Sequence, residues 1–137
     1  MNIYISKDDK KIENFQTVKI QNFQEEMSRV VTNSCENIVA DEIVDFLSSN
    51  SLSNFIQALS SKLRLNGKLF ITGIEIGVLC RHTISEDISS NDFSAVIAPR
   101  ASLSSVNDIV KLLKENGLDI ESSTIKGLKY EISATRR

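Results

Sequence analysis

Between Leu52 and Leu63 the apolar residues fall on one side of a helix, and a strand follows almost at once. Leu52, Phe55, Ile56, Leu59 and Leu63 recur at i, i+3, i+4, i+7 and i+11, which is one face at the helical period. Asn66-Gly67 reads as the end of that helix, because both residues tolerate the left-handed backbone that helix termination often needs. Lys68-Leu69-Phe70-Ile71-Thr72-Gly73 then reads as a central, buried strand. A helix that joins strands in this way is a crossover connection, and crossovers build parallel sheets.

The flanking chain extends the pattern. Asn2 to Ile5 alternates and is rich in β-formers, and so is Phe15 to Ile20. The stretch Asn22 to Asn33 is ambiguous between a short helix and a strand. Glu36 to Ala40 is a short strand, after which Asp41 is placed to cap a helical turn carrying Ile43, Val44, Phe46 and Leu47. Glu86 to Arg100 is polar and reads as irregular. Ser102 to Asn116 is a second amphipathic helix, with Leu103, Val106, Ile109, Val110 and Leu113 on its apolar face and Gly117 closing it. Two strands finish the chain, about Leu118–Ile125 and Leu128–Thr135, with Lys126-Gly127 as the hairpin turn. The expectation is one domain over residues 1–137, α/β, with a mostly parallel sheet and a C-terminal antiparallel hairpin.

Composition narrows the function classes. The 137 residues are enough for one core, and a hydrophobic fraction of 41% is ordinary for a globular domain. A formal charge of -2 gives no reason to expect nucleic acid or an anionic membrane as partner. No apolar run reaches the roughly 20 residues of a membrane span, and the first residues lack the pattern of a secretory leader. Cys35 and Cys80 stand far apart without CxxC spacing, and His82 is the single histidine. Reduced thiols, a cytoplasmic location and no His-based zinc site are the expectations.

Four segments, in order, resemble those of a class I S-adenosylmethionine-dependent methyltransferase of the small bacterial and phage type. Asn14-Phe15-Gln16-Thr17-Val18-Lys19-Ile20 sits where that family carries "G-F-x-N-V-D-I". Cys35 to Phe46 is similar to "F-D-E-I-x-A-x-x-V-L-E-H", and Leu63 to Ile71 to "L-K-P-G-G-x-L-x-I". Leu112-Leu113-Lys114-Glu115-Asn116-Gly117-Leu118 resembles the closing "L-L-x-x-A-G-F". The resemblance spans nearly the whole chain and implies a Rossmann-like methyltransferase fold. It also implies a cofactor pocket at Ser6, Lys7, Asp8, Lys19 and Asp41.

The departures fall on that pocket. The family's first loop is Gly-rich so that its backbone can approach S-adenosylmethionine, whereas Ser6, Lys7 and Asp8 stand here. The family's ribose-binding acid aligns with Lys19, whose side chain has no acceptor. Its Glu-His pair becomes Asp45-Phe46. Asp8 or Asp9 is the alternative acid. The expectation is a pseudoenzyme that has lost the cofactor and works by binding a protein partner or by self-association, through an uncovered sheet face. The alternative is an active methyltransferase on a small molecule or glycan.

Each site also has a plainer reading. Ser6 to Asp9 makes a charged surface turn. Asp41 and Glu42 lie beyond a strand's carboxyl end, where open α/β sheets bind ligands, but a cap and a solvated acid suffice. Glu75, Arg81 and His82 form a candidate acid–base group, or separate structural residues. Cys80 is a nucleophile only beside a base, and otherwise a small hydrophobe.

Overall fold

The computed structural model describes residues 1–8 and 10–137. Six strands form one sheet: β1 (Asn2–Ser6), β2 (Gln16–Lys19), β3 (Cys35–Asp41), β4 (Leu63–Ile74), β5 (Leu118–Lys126) and β6 (Lys129–Arg136). Their order is β2-β1-β3-β4-β6-β5. The first four pair in parallel, and β6 runs antiparallel to both β4 and β5. The described residues also form five helices: α1 (Phe23–Ser28), α2 (Ser49–Lys62), α3 (Ile76–Ile84), α4 (Ser90–Ile97) and α5 (Val106–Glu115). Short 3-10 turns at Ile20–Asn22 and Val44–Phe46 lead into α1 and precede α2.

Alternation along the strands sorts the sheet into two unlike faces. Ile3, Ile5, Val18, Ile38, Ala40, Leu69 and Ile71 point to one side and are fully buried. They share a core with Met27 of α1, Phe55, Ile56 and Leu59 of α2, and Ile109 and Leu113 of α5. The other side carries Asn2, Thr17, Asn37, Lys68, Thr72, Ser133 and Glu131, which the registers bring onto neighbouring strands. It is a polar face, centred on Phe70 at 37% exposed.

Chain direction explains this asymmetry. The step from β1 to β2 runs one way along the sheet, and the steps into β3 and β4 run the other way. Crossovers between parallel strands are right-handed. The β1–β2 connection must therefore cross the face opposite α1 and α2. The contacts agree: Thr17 Oγ1 donates to the Lys10 carbonyl at 2.9 Å, and the Lys10 ammonium stands 5.7 Å from the centre of the Tyr4 ring. Tyr4 and Thr17 are register partners on the polar face. A short coil does there what a helix does on the other side.

Three sequence expectations change. The helix predicted to end at Asn66-Gly67 ends at Lys62, and Leu63 to Leu65 already belong to β4. Asn66 does take the left-handed backbone (φ 64°), but inside the strand. Gly67 is needed for another reason: a Cβ there would stand 2.7 Å from the Cys35 carbonyl oxygen and 2.9 Å from that of Arg64. The irregular segment expected at Glu86 to Arg100 contains α4, whose N-cap Ser89 accepts from the Asp92 amide at 3.1 Å. The ambiguous stretch Asn22 to Asn33 resolves as α1 followed by turns.

Gly67→Ala should destabilise the fold by about 1–3 kcal/mol, since neither crowding atom is a flexible side-chain end. Urea unfolding checks this; an unchanged midpoint would mean that β3 and β4 can separate at no cost.

Candidate functional site

The strand order reverses between β1 and β3, and ligands of open α/β sheets lie outside the carboxyl ends of the strands at such a point. Ser6 ends β1, Lys19 ends β2 and Asp41 ends β3. Ser6 and Lys19 are register partners, as are Asp41 and Thr72. Three of the five predicted pocket residues, Ser6, Lys19 and Asp41, therefore share one rim, Lys7 follows Ser6 on it, and Asp8 turns back onto it. Asp9 lies outside the described residues.

The β1 loop is held by its own side chains. Ser6 Oγ donates to Asp8 Oδ1 at 2.9 Å, and Asp8 Oδ1 also accepts from the Lys10 amide at 3.0 Å. These two bonds, the Ser6 hydroxyl first, hold the Asp8 carboxyl below the usual carboxylate range. The Lys7 ammonium reaches across the crevice and stands 4.1 Å from the centre of the Phe46 ring, beyond β3. The Arg100 guanidinium approaches the same ring at 5.4 Å. Cation–ring contacts at these distances are attractive. At the end of β2, the Lys19 amide donates to Glu26 Oε2 at 3.1 Å.

Asp41 does not cap a helical turn as the sequence suggested. It is the last residue of β3, and its two oxygens accept from Tyr4 Oη at 3.2 Å and Thr72 Oγ1 at 2.6 Å. Glu42 follows with a left-handed backbone (φ 57°), its amide 3.0 Å from Thr72 Oγ1 and its carboxylate 2.6 Å from Lys129 Nζ. Strained backbone of this kind persists only where the surroundings fix it. Burial, and then the charge of Asp41, pushes the Tyr4 phenol up to about 12.

Asp45 and Phe46 follow β3, and Asp45 is 1% exposed. Its Oδ2 accepts from the Ile74 amide at 2.9 Å and from Arg100 Nε at 3.3 Å. Its backbone carbonyl accepts from the amides of Ala101 and Ser102. Burial pushes the Asp45 carboxyl up, against the pull of those donors. Tyr130, paired with Gly73, lies nearby with its hydroxyl buried and without a partner among the described residues. Burial pushes its phenol up, and the Asp45 charge adds to this.

The other candidates do not converge. Glu75 is buried as the N-cap of α3; Oε2 accepts from the Val78 amide at 2.7 Å and Oε1 from the Val106 amide at 3.3 Å. It ties the starts of α3 and α5 together. His82 pairs with Asp87 at 3.2 Å on the surface. Cys35 is buried and Cys80 half-buried, neither in a disulfide. Among the described residues no cluster of His, Cys, Asp and Glu is arranged to hold a metal. No described helix is long and apolar enough to cross a membrane. Sequence reasoning missed Tyr4, Thr72 and Arg100, because only the strand register and the packing of the α4–α5 connection bring them to the rim.

A groove of about 560 Å³ opens beside this rim, between α1 and α2. Ile20, Phe23, Leu47, Phe55 and Ala58 form its apolar side, with Phe23 and Phe55 rings 4.8 Å apart. Gln21, Asn22, Gln24, Ser51 and Asn54 line its polar edge.

No protein-family model and no curated protein matches the sequence. Solved structures do match the fold. An O-methyltransferase family protein from Burkholderia thailandensis superposes with a TM-score of 0.63 at 10% identity, covering 89% of this chain and 36% of that one. A SAM-dependent methyltransferase from Archaeoglobus fulgidus gives 0.65 at 12% identity, covering 90% and 68%. Magnesium protoporphyrin IX methyltransferase from Synechocystis PCC 6803, with bound SAH, gives 0.56 at 16% identity, covering 90% and 51%. The chain thus spans 36% to 68% of the length of these three proteins. It has a class I methyltransferase-like, Rossmann-like fold.

Two measurements probe the rim. With two tyrosines and no tryptophan in the chain, tyrosinate absorbance is a clean readout. Neither phenol should ionise near its ordinary value of about 10, and Tyr4→Phe should remove a step at about 12. Both raised phenols favour the folded state below their unfolded value, a contribution lost as pH rises through the folded one. Asp45→Ala should cost about 3–5 kcal/mol, because it leaves Arg100 and the Ile74 amide without their buried acceptor. A loss below 1 kcal/mol, within the range of an exposed ion pair, would mean Asp45 is not the tie described.

Proposed function

We propose that this chain is a methyltransferase-fold protein that does not turn over S-adenosylmethionine and acts through contacts with protein, a partner or a second copy of itself. The observation that carries this reading is the β1 loop. Where the fold's cofactor needs close backbone approach, Ser6 and Asp8 close a hydrogen-bonded turn and Lys7 lies across to Phe46. Lys19 ends β2 with a donor side chain where the ribose hydroxyls call for an acceptor. These residues do not fit S-adenosylmethionine, and no catalytic step is derived through it.

The α1–α2 groove favours a second reading. Its volume is in the range of small-molecule sites, and it opens at the carboxyl end of β2. An active methyltransferase on a small molecule or glycan would need that groove to take over from the closed crevice.

Calorimetric titration with S-adenosylmethionine, repeated with S-adenosylhomocysteine, separates the two. The expected result is no heat of binding up to millimolar ligand, for the wild type and for the Ser6→Gly/Lys19→Asp double variant. Micromolar binding by the wild type would overturn the first reading and restore the second.

A further inference from the structure

We infer that β5 is a self-pairing edge, through which two copies of this chain join their sheets about a two-fold axis. The inference rests on the reading above, that the chain works through protein contacts, and names the surface and the partner. β5 is the outermost strand, nine residues long and exposed along most of its length. Among the described residues no strand lies beside its outer backbone groups, and such an edge is a template for another strand. The opposite edge, β2, has four residues.

The partner is identified by the pattern along β5 itself. A bulge between Ile120 and Ser122 shifts the register with β6 by one residue. Glu121 turns to the same face as Ser122, where it meets Thr135 and Ser133. Without the bulge, Asp119 and Lys126 would lie on opposite faces and so would Ile120 and Ile125, since face alternates with every residue. With it, Asp119 and Lys126 share the polar face, while Ile120 and Ile125 share the helix face, as their partners on β6 require.

Let a second copy lie antiparallel, with the two-fold axis at Ser123 and the bulge counted as one position. Asp119 then stands opposite Lys126 of the second copy, Ile120 opposite Ile125, and the bulge opposite Thr124. Every opposed pair shares a face, and the symmetry makes each pair twice, as a two-fold interface requires. Ile125, 44% exposed in one copy, gains an apolar neighbour. Opposite charges and aliphatic pairs across strands are both favourable.

The present partners of the two charges do not oppose this. Asp119 pairs with Arg137 and Lys126 with Glu131, each at 3.3 Å and well exposed. Surface ion pairs of this kind contribute little, so exchanging them costs little.

Sedimentation equilibrium of the full chain, from low to high micromolar concentration, tests the inference. The wild type should dimerise in that range. Lys126→Asp and Asp119→Lys should each weaken the dimer about tenfold, because each places like charges opposite one another at two symmetric positions. The double variant Asp119→Lys/Lys126→Asp should restore it. Thermal melts confirm that all three variants stay folded, and both side chains are exposed. A monomer throughout, a dimer unmoved by either single reversal, or a double variant that fails to recover would each overturn the proposal. The outcomes are separable from the cofactor question. A monomer that takes no S-adenosylmethionine overturns only the self-pairing, and a dimer that binds it overturns only the non-catalytic reading.

Discussion

The handedness of parallel crossovers is the constraint from which the rest of this structure follows. Because β1 steps to β2 in one direction and β3 to β4 in the other, the two connections cannot lie on the same face. α1, α2 and α5 take one face, and the β1–β2 connection takes the other. That division fixes the crevice between β1 and β3, gives the loop after Ser6 its place over it, and leaves most of the second face to solvent. Purely parallel sheets are usually covered on both sides. Here the side chains of the open face have the polar alternation of a solvated sheet, with Phe70 and Val39 as its apolar centre.

Two buried carboxylates then close the carboxyl edge. Asp45 fastens the connection after α4 to the end of β4, and Glu75 fastens the starts of α3 and α5. A carboxylate can accept several hydrogen bonds at once: Glu75 draws together the Val78 and Val106 amides, and Asp45 the Ile74 amide and the Arg100 guanidinium. Such residues look like catalytic acids in a sequence. Here both Glu75 oxygens and Asp45 Oδ2 accept hydrogen bonds from the scaffold.

The elements legible in the sequence are those whose signal is periodic. α2 and α5 show through their apolar stripes, and the strands through alternation. No element is assigned from the sequence at α3, whose start Ile76-Gly77-Val78 combines a glycine with β-branched residues and carries little helix signal. α4, at eight residues, is too short to carry a sustained apolar stripe, although Ser89 with Asp92 three residues on is a visible start signal. Asn66 was read correctly as left-handed and wrongly as a terminus, since the close approach of Cys35 that requires Gly67 is a tertiary fact. At the rim, Lys19 is legible as a strand end, and Ser6 and Asp41 as residues just past one. What Asp41 does there is not, because Tyr4 and Thr72 reach it from neighbouring strands.

The position of β6 bears on how this chain is made. β6 is last in sequence but lies inside the sheet, between β4 and β5. While the chain emerges from the ribosome, everything through β4 can assemble, yet β4 keeps a bare edge until Lys129–Arg136 follows. Leu69 and Ile71, fully buried in the finished fold, lie on that strand. An apolar strand with an open edge invites pairing with other nascent chains. Docking of β6 on β4 is thus the step that covers this edge.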